Sequence, residues 1–91
     1  MSESWLVYLI ECSDSSYYCG ITNNLDKRIK THNSGKGAKY TRCRLPVKLL
    51  IYSRLMTKSQ ASKLEHLVKK QKRYYKIEYL SEFSKKFPKS F

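Results

Sequence analysis

The chain has 91 residues and carries 19 Lys and Arg against 7 Asp and Glu, a net charge of +12 at pH 7. This length gives one domain with a modest core, and a hydrophobic content of 41% is globular rather than disordered. The positive excess indicates a polyanionic partner, most directly nucleic acid, whereas no segment approaches the ~20 apolar residues of a membrane span and the N-terminus shows no signal-peptide pattern.

The chain begins with a predicted hairpin. Residues 5–12 (WLVYLIEC) are rich in aromatic and branched side chains and predict a strand. The short polar residues 13–16 are typical of a turn, and residues 17–21 predict the return strand. Gly20 in that strand leaves room for a group to approach the backbone closely.

A first helix follows the hairpin. Each of the residues 22–24 (TNN) is a plausible N-cap. Leu25, Ile29 and His32 then recur at helical spacing. Arg28 lies one turn before His32, so the two side chains share a face beside the apolar stripe.

After Gly35, a natural helix stop, residues 36–46 (KGAKYTRCRLP) predict a basic loop. The loop has four basic residues and no acidic one, which suits phosphate contact, although a solvated loop would have the same composition. Residues 47–55 (VKLLIYSRL) predict a third strand, more buried than the hairpin. The fold class is therefore α/β (α+β), with a small three-stranded antiparallel sheet flanked by helices in the order β-β-α-β-α-α.

The second major helix opens at a capping-box pattern, Thr57 with Gln60 three residues later. Its predicted inner face consists of Ala61, Leu64, Leu67 and Val68, and its outer face is basic. A further helix is expected over residues 74–83, and residues 83–91 form a basic, flexible tail. The single domain accordingly spans residues 1–82.

Glu65 lies at the edge of that inner face, about 40° from Ala61 and about 60° from Val68 at roughly 3.6 residues per turn. A carboxylate buried there must be paired, protonated or bound to a metal. Lys69, one turn on, could supply a simple ion pair instead. The chain offers too few clustered acids for a two-metal centre, so one divalent ion is the ceiling.

The three cysteines, Cys12, Cys19 and Cys43, cannot all pair within one chain. Their spacing contains no CxxC and does not suit a structural zinc. Reduced thiols in a cytoplasmic compartment are the expectation.

The ordered combination of residues resembles the GIY-YIG endonuclease superfamily, and residues 32–41 (HNSGKGAKYT) look like its small single-domain YhbQ-type members. The first motif corresponds to Leu6-Val7-Tyr8, and the second to Tyr18-Cys19-Gly20, with nine residues between the two tyrosines. The family's arginine matches Arg28, the polar residue one turn later matches His32, and the metal-binding glutamate matches Glu65.

The resemblance implies metal-dependent hydrolysis of DNA, of branched, flapped or single-stranded form and in a repair or recombination role. Glu65 would hold one Mg²⁺ or Mn²⁺, and Arg28 would grip the scissile phosphate. Tyr18, Tyr8 or His32 would activate water, Tyr18 being the first choice. A phenol in that role requires the metal and Arg28 to make it more acidic, whereas His32 is the alternative with a free pKa already close to neutral. The predicted nucleic-acid contacts are Lys27, Lys36, Lys39, Tyr40, Arg42, Arg44 and Lys69, and Gly20 has a structural role.

The first motif keeps only its tyrosine, and Ile21 stands where some members have lysine. These departures, with the large positive charge, favour an alternative of a different class. In that alternative the chain is a nucleic-acid-binding module with weak or no catalytic activity.

Overall fold

The computed structural model describes residues 3–86, and their helices and strands follow the predicted order. One element is additional: a four-residue helix lies within the segment predicted as a basic loop. The strands are β1 (Leu6–Glu11), β2 (Tyr17–Thr22) and β3 (Lys48–Tyr52); the helices are α1 (Leu25–Asn33), α2 (Lys39–Arg42), α3 (Lys58–Lys69) and α4 (Arg73–Lys86).

The sheet is antiparallel with the strand order β2-β1-β3, so the first strand of the chain is the central one. All but the last residue of β1 are buried. The prediction that the third strand is more buried than the hairpin is wrong. β3 is an edge strand with only intermediate or exposed residues, because its apolar composition covers one face while its outer edge has no neighbouring strand in the described part of the chain.

Alternating side chains of β1 divide the core into two layers. Val7 and Leu9 point to one face and pack with apolar residues of α3 and α4. Tyr8 and Ile10 point to the opposite face, where α1 contributes its apolar stripe. The sheet therefore separates the Tyr8 side of the molecule from the α3 side, as the two-residue period of a strand requires.

Local signals set the helix ends. Asn24 is the N-cap of α1 and accepts a hydrogen bond from the Lys27 N–H, and the positive φ of Gly35 follows the end of that helix. Thr57 and Gln60 form the predicted capping box of α3, with both reciprocal bonds present. Capping chemistry is local, which explains why the sequence located these starts correctly.

Two details of the helices differ from the prediction. Leu67, predicted on the inner face of α3, is 42% exposed, and the buried residues of this helix are Ala61, Leu64 and Val68. The last helix extends to Lys86, into the segment predicted as a tail. Residues 87–91 of that predicted tail lie outside the described residues. Among the residues that are described, no helix has the length and apolar character needed to cross a bilayer.

Candidate active site

Tyr8 occupies the middle of the central strand, directly opposite Gly20 of β2 in the strand register. Its phenol ring lies across the backbone of Gly20, where an added Cβ would be 2.6 Å from the Tyr8 hydroxyl oxygen. Only a residue without a side chain leaves that space. Gly20 therefore has the structural role that the sequence suggested, which is to admit the Tyr8 ring.

The Tyr8 hydroxyl connects two polar residues of α1, Arg28 and His32. Nε of Arg28 donates a hydrogen bond to the Tyr8 oxygen at 3.2 Å. Nε2 of His32 lies 2.8 Å from the same oxygen. Arg28 and His32 are one helical turn apart, so both reach a single oxygen on the neighbouring strand.

The far nitrogen of the His32 ring fixes the direction of these bonds. Nδ1 lies 2.9 Å from Oγ1 of Thr41, whose hydroxyl donates to the carbonyl oxygen of Ala38 at 2.9 Å. A threonine hydroxyl has one proton, so Nδ1 must donate to Thr41. Nε2 of the neutral ring then accepts from Tyr8, and the Tyr8 oxygen in turn accepts from Arg28.

Burial controls the protonation of this chain of groups. It raises the pKa of Tyr8 to about 12, and the hydrogen bond from Arg28 offsets only part of that effect. Burial, and then the positive charge of Arg28, lowers the pKa of His32 below its ordinary value. The hydrogen bond to Tyr8 raises the pKa of Arg28. At neutral pH the site therefore contains a neutral phenol, a neutral imidazole and a fixed guanidinium.

Tyr18 joins the same group from β2. Its ring meets the His32 ring edge-on, with centroids 5.5 Å apart, and lies 6.4 Å from the Tyr8 ring. On another side it stacks with Tyr40 of α2, at a centroid distance of 6.0 Å and an interplanar angle of 23°. Tyr18 is half-buried at the margin of this cluster, whereas Tyr8 is fully buried beneath it.

Glu65 is on α3, which packs on the opposite face of the sheet. Its partly buried carboxylate forms an ion pair with Lys69 at 3.2 Å, the partner that the helical spacing offered. The Lys69 ammonium also lies 6.0 Å from the centroid of the Tyr18 ring. Lys69 therefore lies between Glu65 and the tyrosine cluster, and joins them around the outer edge of β2.

The donor set restricts what kind of metal site Glu65 could form. Within residues 3–86, no three side chains among His, Cys, Asp and Glu come together as a metal cluster. Mg²⁺ and similar hard ions accept a single protein carboxylate when water and phosphate oxygens complete the coordination. Glu65 fits that limited role, and it does not fit a site built entirely from protein ligands.

The predicted basic contacts fall into two groups. Arg44 is not a free cation, because its Nε pairs with Asp14 at 3.0 Å and its guanidinium lies 4.2 Å over the Tyr40 ring. Lys69 is occupied by Glu65. The remaining four are exposed: Lys27, Lys36, Lys39 and Arg42.

Sequence reasoning gave no role to Thr41 or Gly37, although both position His32. Thr41 is fully buried and binds Nδ1. Gly37 packs so closely on the ring that an added Cβ would be 2.5 Å from Nδ1. Both fall within the segment 32–41, whose likeness to a known family was the one signal present. Periodicity could not reveal them, because the segment joins the end of α1 to the short helix α2 through a loop and has no repeating apolar spacing.

Residues 4–78 match the family described as the GIY-YIG catalytic domain. A UPF0213 protein of Streptococcus pneumoniae is 49% identical over 82 residues, which cover 90% of this chain and 83% of the relative. The UPF0213 protein YazA of Bacillus subtilis is 48% identical over 75 residues, covering 82% and 76%.

Two solved structures are also similar. The solution NMR structure of the E. faecalis protein EF2693 has a TM-score of 0.61 and 39% identity, covering 90% of this chain and 88% of that one. The solution NMR structure of the UPF0213 protein BH0048 from Bacillus halodurans has a TM-score of 0.52 and 42% identity, covering 88% and 85%.

Proposed function

This chain belongs to the GIY-YIG family, and from that premise we propose that it is a metal-dependent DNA endonuclease. The observation that carries the proposal is the hydrogen bond from Arg28 to Tyr8, which holds a permanent positive charge beside two tyrosines. A fixed guanidinium is suited to bind two oxygens of a phosphodiester and to stabilise the charge that develops on it. The proposed substrate is branched or single-stranded DNA.

The proposal assigns water activation to Tyr18. Tyr8 is unsuited to be the base, because burial raises its pKa to about 12. His32 is also buried, and both of its ring nitrogens are engaged, by Tyr8 and by Thr41. Tyr18 has the partial exposure that a group touching substrate needs.

Glu65 is proposed to hold one divalent ion, Mg²⁺ or Mn²⁺, shared with the substrate phosphate. When bound, such an ion supplies electrostatic stabilisation of the leaving oxygen and of the phosphoryl group. The protein's own contribution is the half-buried Glu65 carboxylate, which forms an ion pair with Lys69. Because the lysine side chain is long and flexible, a substrate phosphate can compete with Glu65 for its ammonium group. The exposed residues Lys27, Lys36, Lys39 and Arg42 would bind the DNA backbone.

A reducing, cytoplasmic location is part of the same proposal. Cys12 and Cys19 are buried and free, and Cys43 is exposed and free. An exposed thiol is compatible with a compartment that keeps cysteines reduced.

The second candidate is a nucleic-acid-binding module with weak or no cleavage. The ion pair between Glu65 and Lys69 favours it, because a carboxylate satisfied by lysine has less need of a metal. The altered first motif, Leu6-Val7-Tyr8, points the same way.

The deciding experiment incubates the protein with single-stranded, flapped, branched and duplex DNA in Mg²⁺, in Mn²⁺ and in EDTA. Cleavage that requires metal, and that is lost in Glu65→Gln and Arg28→Gln while DNA binding remains, supports the endonuclease. Glu78→Gln, an exposed carboxylate on α4, is the matched control and keeps full activity. Salt-sensitive binding without any product supports the binding module, and cleavage that survives EDTA contradicts the role of Glu65.

A further inference from the structure

A cleft lies at the outer edge of β2, beside the Arg28 cluster, with which it shares Tyr18. Its volume is about 300 Å³, at the lower end of the range for small-ligand pockets. Because neighbouring residues of β2 point to opposite faces, the cleft receives side chains from both layers of the molecule. Its lining is Tyr17, Tyr18, Cys19, Tyr40, Lys69 and Lys76.

Two of the tyrosines that form its walls are backed by arginines. The Arg44 guanidinium lies 4.2 Å over the Tyr40 ring, and the Arg73 guanidinium lies 4.3 Å over the Tyr17 ring. Neither arginine lines the cleft, so each covers its ring from outside. For Tyr17, cation–π contact on one face fixes the ring and leaves its cleft side for a ligand, whereas Tyr40 is held both by Arg44 and by its stacking with Tyr18.

Both arginines are anchored to the same short turn between β1 and β2. Nε of Arg44 pairs with the Asp14 carboxylate at 3.0 Å. Nε of Arg73 donates to the carbonyl oxygen of Ser15 at 3.1 Å. Two adjacent residues of one turn therefore fix the arginines that contact Tyr40 and Tyr17. These arginines, Arg44 and Arg73, come from segments far apart in the chain.

The cleft also carries positive charge. The Lys76 ammonium donates to the carbonyl oxygens of Val68 and Lys69, each at 3.1 Å, and is held at the C-terminal end of α3. The Lys69 ammonium is the second cation, and a phosphate would share it with its ion-pair partner Glu65. Aromatic walls combined with two ammonium groups are the features that bind a flat ring attached to a phosphate.

We propose that this cleft binds the base of an unpaired nucleotide, with the adjoining phosphate at Lys69 and Lys76. Stacking on tyrosine accepts any base, because every base has a π-face, and so requires no sequence-specific contact. A base held in a duplex is stacked and paired and cannot enter a pocket of this size without being extruded. The cleft therefore selects single-stranded or flapped nucleic acid next to the Arg28 cluster.

Charge argues against a second copy of the chain as the occupant, since each copy carries +12 and like charges repel. The inference rests on the proposed function only in taking nucleic acid as the partner. It does not require that the protein cleave it.

The test measures binding by fluorescence anisotropy in EDTA, so that cleavage plays no part. The probes are labelled oligothymidylate, the same oligonucleotide with abasic sites, and a duplex of equal length. We expect the thymidylate to bind tighter than the abasic strand, and Tyr40→Leu and Tyr17→Leu each to weaken it on the order of fivefold or more. Both variants leave duplex and abasic binding unchanged.

Tyr74→Leu is the matched control, because Tyr74 is 78% exposed on α4 and does not line the cleft. Equal losses for all three probes, or equal binding of thymidylate and abasic strands by the unsubstituted protein, overturn the proposal. Should a variant unfold, NMR of the unsubstituted protein decides. We then expect trithymidylate to change the amide chemical shifts of Tyr17 and Cys19 and the abasic trimer to leave them unchanged. Identical changes with both trimers contradict base binding.

The outcome is separable from that of the cleavage assay. A protein that shows the base-dependent pattern in EDTA but yields no product keeps the cleft and loses the endonuclease. A protein that cleaves DNA but binds abasic and thymidylate strands equally keeps the endonuclease and loses the cleft.

Discussion

Nε2 of His32 lies 2.8 Å from the phenolic oxygen of Tyr8, and both side chains are fully buried. Two groups that the family resemblance offered as possible bases therefore satisfy each other inside the core. Their shared bond serves to orient Arg28, whose Nε donates to the same oxygen. The site is organised so that a buried chain of hydrogen bonds positions one partly buried charge, that of Arg28.

Tyr8→Phe tests whether the Tyr8 phenol positions Arg28 or acts as the base that activates water. The change leaves Nε2 of His32 and Nε of Arg28 without their shared partner, so we expect the free energy of unfolding to fall by about 1–3 kcal/mol. Misplacement of Arg28 lowers any cleavage rate on the order of 10-fold to 100-fold. Urea unfolding and single-turnover cleavage measure the two effects.

The pH profile separates the two roles of Tyr8. A group whose pKa is about 12 does not titrate near neutrality, so the residual cleavage by Tyr8→Phe keeps the shape of its profile between about pH 6 and pH 9. Loss of the alkaline limb in this variant would identify Tyr8 as the base.

Stability is expected to fall in mild acid because of His32. Its pKa in the folded protein is below the ordinary value of 6.5, so the unfolded chain binds more protons in the interval between those two values. The stabilisation is complete above about pH 6.5 and is lost as pH falls through the lowered pKa. Urea unfolding at several pH values measures this slope.

His66 provides the control for that slope, since it is exposed on α3. His66→Gln retains the acid sensitivity, while His32→Gln, although less stable at every pH, loses most of it. The same slope in both variants would show that another group is responsible.

Gly37→Ala is expected to disturb the site without removing any polar group. The new methyl would be 2.5 Å from Nδ1 of His32, and crowding of this kind costs about 1–3 kcal/mol. Thermal unfolding measures the loss, and NMR of the imidazole nitrogens reports whether the bond to Thr41 persists. The neighbouring Lys36→Ala, at an exposed position, leaves both unchanged; an unaltered imidazole in Gly37→Ala would argue against close packing there.

Lys69→Gln is expected to strengthen binding of Mn²⁺ at Glu65. Its ammonium lies 3.2 Å from the Glu65 carboxylate and competes with any other cation. A partly exposed pair of this kind is worth up to about 1 kcal/mol, so the affinity for Mn²⁺ rises by up to roughly fivefold. Electron paramagnetic resonance of free Mn²⁺ measures it, and Glu65→Gln abolishes it. Lys63→Gln, exposed on the outer face of the same helix, controls for general charge, and an equal gain there would refute direct competition.

The sequence predicted those features whose causes are local. The tyrosine hairpin, the start of α1 within the three N-cap candidates of residues 22–24, and the capping box at Thr57 depend on residues close together in the chain. The position of Glu65 at the edge of its helix face, with Lys69 available as a partner, also followed from helical spacing. The structure shows that Glu65 and Lys69 form this ion pair.

The features that sequence could not give depend on contacts between distant segments. The prediction that β3 is the more buried strand was wrong, because strand order and not composition decides which strand is central in the sheet. Thr41 was missed because its role is a bond to a side chain nine residues earlier, through a loop without periodicity. The arginine-backed walls at Tyr17 and Tyr40 likewise arise only when the turn, α2 and α4 come together.

The turn at Asp14 and Ser15 therefore does more than reverse the chain. Hairpin tips of small polar residues are ordinarily where natural variation in length, affinity tags and new chain ends are tolerated. Here the turn binds the side chains of two arginines, Arg44 from the segment before β3 and Arg73 from the segment after α3. A residue inserted in this turn would displace Asp14 or the Ser15 carbonyl from its arginine. The length of the turn is therefore constrained, although its residues 13–15 are exposed to solvent.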